Sequence, residues 1–302
     1  MTDWLWIPLV IFAAALQTVR NASQKSLTKV AGTLAATFVR FGYGLPFTAI
    51  ALVVALHAQQ APLPALKGAF GAWVLAGGMA QLLATALLLA AMEQRSFIVA
   101  MAYSKTEMLQ IALFSALILA EWVSANTAVA MVLATTGVIM LSLRPDTLRS
   151  AALKDWFSSA ALFGIGSGAL FAISAVCFRG AILELGASSP WLGGIYTLLW
   201  TQIVQSLVLG AYLLWRDRRG LLQVALSWRV SLLAGLAGAL SSIGWFIAFG
   251  MRNVADVRTL GMVEMLFIFA ASRMFFNERT SAREALGMLV LVAGLILICL
   301  QL

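Results

Sequence analysis

The sequence predicts an all-α polytopic membrane protein whose ten transmembrane helices form two inverted five-helix repeats. Two observations support this fold class. The 302 residues are 62% hydrophobic and only 11% charged, which is far more apolar than the composition of a water-soluble domain. Residues 91–143 also align without a gap with residues 248–300, at an offset of 157 positions. Duplicated apolar segments are a feature of membrane proteins built from two related halves.

The repeat is recognised by its rare polar residues. Fifteen of the fifty-three aligned positions are identical, but apolar helices share many residues by chance. The acidic residues are more informative, because Glu107 aligns with Glu264 and Glu121 aligns with Glu278. The sequence therefore predicts a duplicated helical unit that carries matched intramembrane acids.

Ten apolar runs fit the ~20 residues that a helix needs to cross a hydrocarbon core. They lie near residues 4–20, 33–56, 69–92, 97–119, 125–143, 156–179, 189–214, 230–250, 254–276 and 284–302. Five spans per half is an odd number, so the second half enters the membrane upside down relative to the first. We therefore predict a first repeat over residues 1–146 and an inverted second repeat over residues 147–302.

Each run is supported by its ends or by its place in the repeat. The first run follows Thr2 and Asp3, which lack the positive charge of a signal peptide, and the repeat needs it as the counterpart of the sixth run. Small residues in the third, sixth, seventh and eighth runs favour close helix packing within lipid. Indole rings favour the headgroup layer, and tryptophans mark several run ends: Trp4, Trp6, Trp122, Trp156, Trp191, Trp215 and Trp228.

The formal net charge of +8 indicates membrane topology rather than nucleic-acid binding. Most basic residues lie in short segments between apolar runs, as Arg216, Arg218 and Arg219 do, and positive charge beside spans orients them. Counted over all connections, this charge predicts that both termini lie outside the cytoplasm. Cys177 and Cys299 fall within apolar runs, so we expect free thiols and no disulfide framework.

Two glutamates lie about halfway along the fourth and ninth runs. An ionisable side chain at that depth costs about 2.5–3.5 kcal/mol on insertion scales, so it normally faces a partner or a cavity. Tyr103 and Gln110 share the helix face of Glu107, since they lie four residues before it and three after it. Either Glu107 and Glu264 bind a cationic group or a proton beside a central cavity, or they hold neighbouring helices together.

Basic and aromatic side chains complete the candidate site. The guanidinium of Arg40, in the second span, is suited to bind carboxylate or phosphate through paired hydrogen bonds; alternatively it neutralises one of the two glutamates. Acidic and basic groups at depth suit a zwitterion such as an amino acid. The candidate substrate- and proton-binding residues are Glu107, Glu264, Arg40, Tyr103, Gln110, Tyr43, Lys105, Trp200 and Trp245. For the two tryptophans, packing is the alternative.

The chain resembles the drug/metabolite transporter superfamily, in its EamA-like branch of ten-helix carriers. The resemblance covers nearly the whole chain and rests on the five-plus-five duplication. It also rests on an acid that closes the fourth helix of each half, in Ala120-Glu121-Trp122 and in Asn277-Glu278-Arg279, and on the early arginine Arg40. Relatives in this family are generally drawn with both termini in the cytoplasm, opposite to the prediction from charge.

This sequence departs from the family pattern at two places in each half. Glu107 and Glu264 occupy positions that are often proline in the family. Ala120 and Asn277 replace the glycine that usually precedes the closing acid.

The resemblance and the paired acids together lead us to expect a secondary active transporter. It would move a small metabolite across the bacterial inner membrane by alternating access, with an amino acid or related zwitterion as the best hypothesis, export as the direction and proton coupling as an option. No Gly-x-x-x-x-Gly-Lys-Ser/Thr motif occurs, so a gradient or the substrate itself, rather than ATP, would supply the energy. A lipid flippase or flippase subunit is the alternative function.

Other function classes have less support. An intramembrane enzyme is disfavoured, because His57 is the sole histidine and no His-Glu-x-x-His motif occurs. A channel is disfavoured because no repeated carbonyl-filter segment is visible. We expect no metal and no organic cofactor, a small-molecule substrate and the lipid bilayer as partners, no nucleic acid, and a monomer or homodimer.

Overall fold

The computed structural model describes residues 4–66, 68–94, 103–104, 106–142, 159–276 and 282–300. Every regular element within these ranges is a helix. In chain order they are α1 Trp6–Ala31, α2 Thr33–Gly42, α3 Leu45–Gln59, α4 Phe70–Gln94, α5 Glu107–Leu119, α6 Ala125–Ser142, α7 Ser159–Leu185, α8 Pro190–Arg216, α9 Arg218–Leu226, α10 Trp228–Met251, α11 Val254–Leu260, the 3-10 helix Gly261–Val263, α12 Glu264–Phe276 and α13 Ala282–Cys299. The predicted all-α class is confirmed.

Several helical segments of the described chain are long and apolar enough to cross a membrane. They are Thr33–Gln59, Phe70–Leu88, Ala161–Leu185, Pro190–Arg216 and Trp228–Met251. The first joins α2 and α3, because Tyr43 and Gly44 keep right-handed helical backbone angles between them. Helices α5 and α6 are apolar but shorter. The protein is therefore a helical membrane protein, and its ten-span arrangement remains a prediction.

The helix bounds repeat with the same 157-residue offset as the sequence. The offset relates the 27-residue segment of α2 and α3 to α8 at both ends. It also relates α5 to α12 and α6 to α13, which have 13 and 18 residues respectively. Because α2 and α3 precede the aligned residues 91–143, the correspondence extends beyond the part of the chain in which sequence identity is detectable.

Helix α1 is longer than the predicted first span over residues 4–20. Neither glycine nor proline occurs between Pro8 and Gly32, so no residue stops the helix within that interval. It ends at Gly32, whose φ of 77° is favourable for glycine. In its later turns Gln24 Nε2 donates to the Ala36 carbonyl of α2 at 3.0 Å. Helix α1 thus carries polar residues onto the surface of α2.

The predicted ninth span over residues 254–276 is not a continuous α-helix. It consists of α11, the 3-10 helix Gly261–Val263 and α12. A further short helix, α9, lies in the predicted connection between the seventh and eighth spans. Asp217 caps it by accepting a hydrogen bond from Gly220 N at 2.9 Å.

Helix α5 ends at a residue with left-handed backbone geometry. Ala120 has a φ of 53°, and the next amide, that of Glu121, donates to the Ser115 carbonyl at 3.1 Å. This geometry is a common helix C-terminus and usually places glycine at the left-handed position. The glycine that the resembled family has before its closing acid therefore has a physical reason here, and Ala120 is strained.

Replacing this alanine tests the strain. We expect Ala120→Gly to raise the free energy of unfolding by up to about 1 kcal/mol, since a Cβ is unfavourable in the left-handed region. The matched control is Ala116→Gly, in the interior of the same helix, which should lower it by about 1 kcal/mol. Unfolding by SDS from mixed micelles, followed by far-UV circular dichroism, measures both. Equal losses for the two variants would contradict the assignment of strain.

Unit 1, one of two compact units, consists of residues 1–78 and 178–252. Helix α10 packs along α1 and also contacts α2, α3 and α8. Small residues allow this approach: Ser241 Oγ donates to the Ala13 carbonyl at 2.8 Å, and a Cβ on Gly244 would lie 2.9 Å from Ala13 Cβ. One hydrophobic cluster of the unit contains Leu52, Phe70, Val74, Ala181, Leu185, Leu192, Ile195, Tyr196 and Ile247.

Unit 2 consists of residues 79–177 and 253–302. Its described part contains most of α4, α5, α6, the first part of α7, α11, the 3-10 helix, α12 and α13. Helix α11 packs against α5, α6 and α13. Both cysteines belong to this unit and are free thiols, as predicted, with Cys177 buried and Cys299 half-buried.

Helices α6 and α13 meet through reciprocal glycine contacts. A Cβ on Gly137 would lie 2.5 Å from Leu291 N and 2.7 Å from the Gly287 carbonyl oxygen. A Cβ on Gly294 would lie 2.8 Å from Ala134 N and 2.9 Å from the Ala130 carbonyl oxygen. The two contacts correspond under the 157-residue offset, which relates Gly137 to Gly294, Leu291 to Ala134 and Gly287 to Ala130. The helices run antiparallel, because contact positions descend along α13 as they ascend along α6.

The compact units differ from the predicted sequence repeats. Each unit takes helices from both sides of residue 146, the predicted repeat boundary. A repeat defined by sequence and a unit defined by packing are different divisions of one chain. The repeats over residues 1–146 and 147–302 therefore remain a prediction.

Candidate functional site

The predicted site residues divide between the two units. Tyr103, Glu107, Gln110 and Glu264 belong to unit 2, whereas Arg40, Tyr43, Trp200 and Trp245 belong to unit 1. Lys105 lies outside the described residues, as do Glu278 and Asn277 of the closing motif.

The two glutamates of unit 2 occupy equivalent local positions. Glu107 is the first residue of α5 and Glu264 is the first residue of α12. The turn before Glu107 has hydrogen bonds to the third preceding residue, since Thr106 N donates to the Tyr103 carbonyl at 3.2 Å and Thr106 Oγ1 donates to it at 2.7 Å. The 3-10 helix Gly261–Val263 immediately precedes Glu264. Both acids therefore follow a tightened turn.

Glu264 lies halfway along the helical stretch of residues 254–276, as predicted, with the 3-10 helix directly before it; for the predicted span over residues 97–119, residues 97–102 and 105 lie outside the described part of the chain. The first turn of a helix has amide groups without intrahelical partners, and its dipole favours negative charge. Here these amides already have backbone partners: Glu264 N donates to the Gly261 carbonyl, and Leu109 N donates to the Thr106 carbonyl. Lys105, between Tyr103 and Glu107, lies outside the described residues, so the shared face of Tyr103 and Glu107 stays a prediction.

Glu107 forms an ion pair with Arg258 of α11. The glutamate is only 6% exposed, and the Arg258 side chain is 24% exposed. The bond runs from Arg258 Nη2 to Glu107 Oε1. Arg258 was not among the predicted site residues, and the prediction that Arg40 neutralises Glu107 or Glu264 stays a prediction.

Helix α11 is held in place by a polar network on α6. Asn253 caps α11 by accepting from Asp256 N at 2.8 Å. Asp256 Oδ1 accepts from Thr127 Oγ1 at 2.8 Å, and Ser124 Oγ accepts from Thr127 N at 3.0 Å at the start of α6. Because Arg258 lies two residues after Asp256, this network positions the arginine that reaches Glu107.

Gln110 contacts α7 rather than the ion pair. Its Nε2 donates to the Ile165 carbonyl at 3.5 Å. A Cβ on Gly168 would lie 3.1 Å from Gln110 Oε1 and 2.8 Å from the Ser104 carbonyl oxygen, so glycine is required for α7 to approach this turn. Gln110 Oε1 is buried and accepts no hydrogen bond from the described residues.

The two glutamates are matched in the repeat, but the position of Arg258, the partner of Glu107, has no matching arginine in the first half. Glu264 is half-buried, and an offset of 157 relates Arg258 to Met101. An arginine equivalent to Arg258 is thus missing from the first half of the sequence. The two acids are thus matched in the repeat, but position 258 and its counterpart Met101 are not, and this difference is visible in the sequence.

In unit 1, Arg40 and Tyr43 lie where α2 meets α8 and α10. The Arg40 guanidinium carbon lies 5.3 Å from the centre of the Phe41 ring. A Cβ on Gly235 of α10 would lie 2.6 Å from Tyr43 Cβ, so the backbones approach closely at the junction of α2 and α3. Nearby, a Cβ on Gly44 would lie 3.1 Å from Gln202 Nε2 of α8.

The two candidate tryptophans of unit 1 take part in packing. Trp245 is 6% exposed, and its Nε1 donates to Gln17 Oε1 of α1 at 3.1 Å. Trp200 packs edge-on against Tyr196, with ring centres 6.4 Å apart, and Tyr196 stacks with Phe70 at 5.9 Å. These contacts favour the packing alternative, most clearly for Trp200.

Comparisons with known proteins inform the fold and not the activity. No family model matches the chain, and no curated protein matches it. One solved structure, titled "Crystal structure of protein", is similar to 99% of this chain and 96% of its own, with a TM-score of 0.73 and 13% sequence identity. At this identity the likeness shows that the two chains share a fold over their length.

Proposed function

We propose that this protein is a secondary active transporter that moves a small metabolite across a bacterial inner membrane by alternating access. The proposal includes membership of the drug/metabolite transporter superfamily, ten spans in two inverted halves, and no enzymatic activity of its own. The substrate is an amino acid or a related zwitterion, the direction is export, and the carrier is a monomer or homodimer.

The reciprocal packing of α6 and α13 supports the inverted architecture. Two antiparallel helices whose contacts interchange under the repeat offset are related by a two-fold axis perpendicular to their length. A repeat axis along the membrane normal would instead make equivalent helices parallel. The contacts of Gly137 and Gly294 therefore favour an axis in the membrane plane, as in inverted-repeat carriers.

The observation that carries the transport proposal is the position of Glu107 and Glu264. Each begins an apolar helix after a tightened turn, and the two positions are equivalent in the repeat. Helices interrupted near their middle, with charged groups at the break, form substrate and ion sites in many carriers. Ionisable side chains in apolar helices are costly and normally serve binding or proton transfer.

The ion pair supports a zwitterionic substrate. Glu107 and Arg258 offer one carboxylate and one guanidinium at a single place, so a molecule with an ammonium and a carboxylate group matches both. As it binds, such a substrate would break the ion pair between Glu107 and Arg258 and form an ion pair with each of the two side chains. For Glu264 the proposed role is proton exchange.

Transport by purified protein tests this function. In proteoliposomes loaded with amino acids and other small zwitterions, we expect saturable counterflow, tested with and without an imposed pH gradient. Glu107→Gln should reduce it about 10- to 100-fold, because an amide replaces a charged hydrogen-bonding group. Glu264→Gln should remove the response to the pH gradient.

Glu184→Gln is the matched control, because Glu184 lies near the end of α7 and outside the proposed site. It should transport like the unmodified protein. If Glu107→Gln and Glu264→Gln both leave counterflow and its pH response unchanged, the acid-centred mechanism is wrong.

A further inference from the structure

A second arginine, Arg20, accompanies Arg40 in unit 1. Arg20 lies on α1 and is only 5% exposed. A Cβ on Gly238 of α10 would lie 3.2 Å from Arg20 Cδ and 3.7 Å from Arg40 Cγ. The two arginine side chains therefore converge on one glycine, and the absence of a side chain there leaves room for both.

The arginine stems approach the middle of an apolar helix. Gly238 is near the centre of the 24 residues of α10, a segment long enough to cross a membrane. Basic side chains at that depth are rare, because their insertion costs roughly 3 kcal/mol or more each, and they mark paths for substrates or ions. Packing alone would be served at lower cost by apolar side chains.

Arg20 is oriented by its neighbour on the same helix. Its Nε and Nη2 both donate to Asn21 Oδ1, at 3.2 Å and 2.8 Å. Gln17, one turn earlier on α1, accepts from Trp245 of α10, which fixes α1 against α10 beside the arginine. A guanidinium held by such contacts is pre-organised, so less conformational entropy is lost when it binds a ligand.

The charge of the chain is concentrated in the same unit. The sequence of unit 1 contains eleven Lys and Arg against three Asp and Glu, whereas that of unit 2 contains nine of each. The whole net charge of +8 thus belongs to unit 1. An anion that accepts hydrogen bonds from a guanidinium group gains more from its charge away from water than at the surface.

We propose that Arg20 and Arg40 form an oxyanion subsite, which binds the carboxylate or phosphate group of a ligand beside Gly238. A planar guanidinium matches both groups through paired hydrogen bonds. The physiological meaning of the subsite rests on the carrier function proposed above, and the subsite is a second binding place for an anionic group, in unit 1, besides Arg258 of unit 2. A free metabolite and an anionic lipid headgroup are the two possible sources of that group.

Equilibrium binding tests the subsite without requiring transport. The full-length protein is placed in phosphatidylcholine nanodiscs, and ligand-observed NMR titrations are run with acetate, alanine and inorganic phosphate. We expect saturable binding of at least one probe, and a rise in Kd of at least about 10-fold for Arg20→Gln and for Arg40→Gln, since each change removes a charged hydrogen-bonding partner. For Arg20→Lys and Arg40→Lys, Kd should lie between the values for the unmodified protein and the glutamine variants, because lysine keeps the positive charge but lacks the paired N–H donors of the guanidinium group.

Two further variants separate the subsite from general charge effects. Arg229→Gln removes an exposed charge of unit 1 at the start of α10 and should change Kd by less than about twofold, because salt screens it. Gly238→Ala keeps every charge but places a methyl 3.2 Å from Arg20 Cδ, so the arginine must shift and Kd should rise several-fold. Far-UV circular dichroism verifies that each variant is folded.

The source of the oxyanion is identified by adding phosphatidylglycerol to the nanodiscs. Competition between this lipid and the soluble probes identifies a headgroup as the natural occupant, and unchanged Kd values identify a soluble ligand; either result supports the subsite. The proposal is overturned if none of the three probes binds saturably, or if Arg229→Gln raises Kd as much as the Arg20 and Arg40 variants do.

These outcomes are independent of the test of transport. If the arginine variants bind more weakly but the protein transports no zwitterion, the subsite proposal is supported and the carrier proposal is wrong. If those variants bind as well as the unmodified protein but counterflow depends on Glu107, the subsite proposal is wrong and the carrier proposal is supported.

Discussion

Gly137→Ala is expected to lower the free energy of unfolding by about 3 kcal/mol, the upper end of the usual cost of overpacking. The added methyl would lie 2.5 Å from Leu291 N and 2.7 Å from the Gly287 carbonyl oxygen. Both are backbone atoms, which cannot rotate away as a side chain does, so α6 and α13 must separate. Within lipid, close backbone approach supplies much of the attraction between helices, and that attraction is lost along the whole contact.

The repeat makes this prediction specific. Gly294→Ala should cost a similar amount, because its contacts with Ala130 and Ala134 are the counterparts of those of Gly137. The double variant should lose less than the sum, since either change alone already separates the helices. Gly71→Ala is the control: no atom lies within 4 Å of its added methyl, and stability should stay the same or rise slightly. SDS unfolding followed by circular dichroism measures the series, and equal effects at Gly71 and Gly137 would contradict the packing argument.

Arg258→Met is expected to lower the free energy of unfolding by about 2–4 kcal/mol. Removal of one member of a buried ion pair leaves the other as a charge without compensation, which costs more than the pair itself contributes. Glu107 is in that position, because it is 6% exposed and Arg258 is its ionic partner in unit 2. The estimate lies below the full cost for a completely buried pair, since the Arg258 side chain retains 24% exposure.

A double-mutant cycle distinguishes the pair from the loss of packing. Glu107→Gln combined with Arg258→Met removes both charges and should recover about 2 kcal/mol of the loss. Arg229→Met, at an exposed arginine of α10, should change stability by less than about 0.5 kcal/mol. A double variant no more stable than Arg258→Met alone would show that the two side chains are not coupled.

The same pair links stability to the proposed transport. The ammonium group of the substrate would bind Glu107, and its carboxylate group would bind Arg258. The ion pair therefore stabilises the empty carrier, and the substrate stabilises the loaded one. Variants of Arg258 should therefore lose both stability and counterflow, whereas Gly137→Ala should lose stability through helix packing remote from the ion pair.

Several features followed from the sequence because they depend on composition and on local periodicity. Apolar runs of about 20 residues predict helices wherever they occur, and the helical class is confirmed. The 157-residue offset, found from Glu107 and Glu264, also relates the bounds of helices outside the aligned region. Duplicated segments with similar residues form similar helices, so this feature is carried by the chain itself.

Other features depended on contacts between residues far apart in the chain. The ion pair of Glu107 with Arg258 and the convergence of Arg20 and Arg40 on Gly238 both join elements that sequence spacing does not relate. A helix has several faces, and only its neighbours decide which of them meets a charge, a glycine or lipid. Composition and periodicity therefore determined that the chain forms apolar helices in a duplicated order, whereas tertiary packing decided which arginine accompanies which acid.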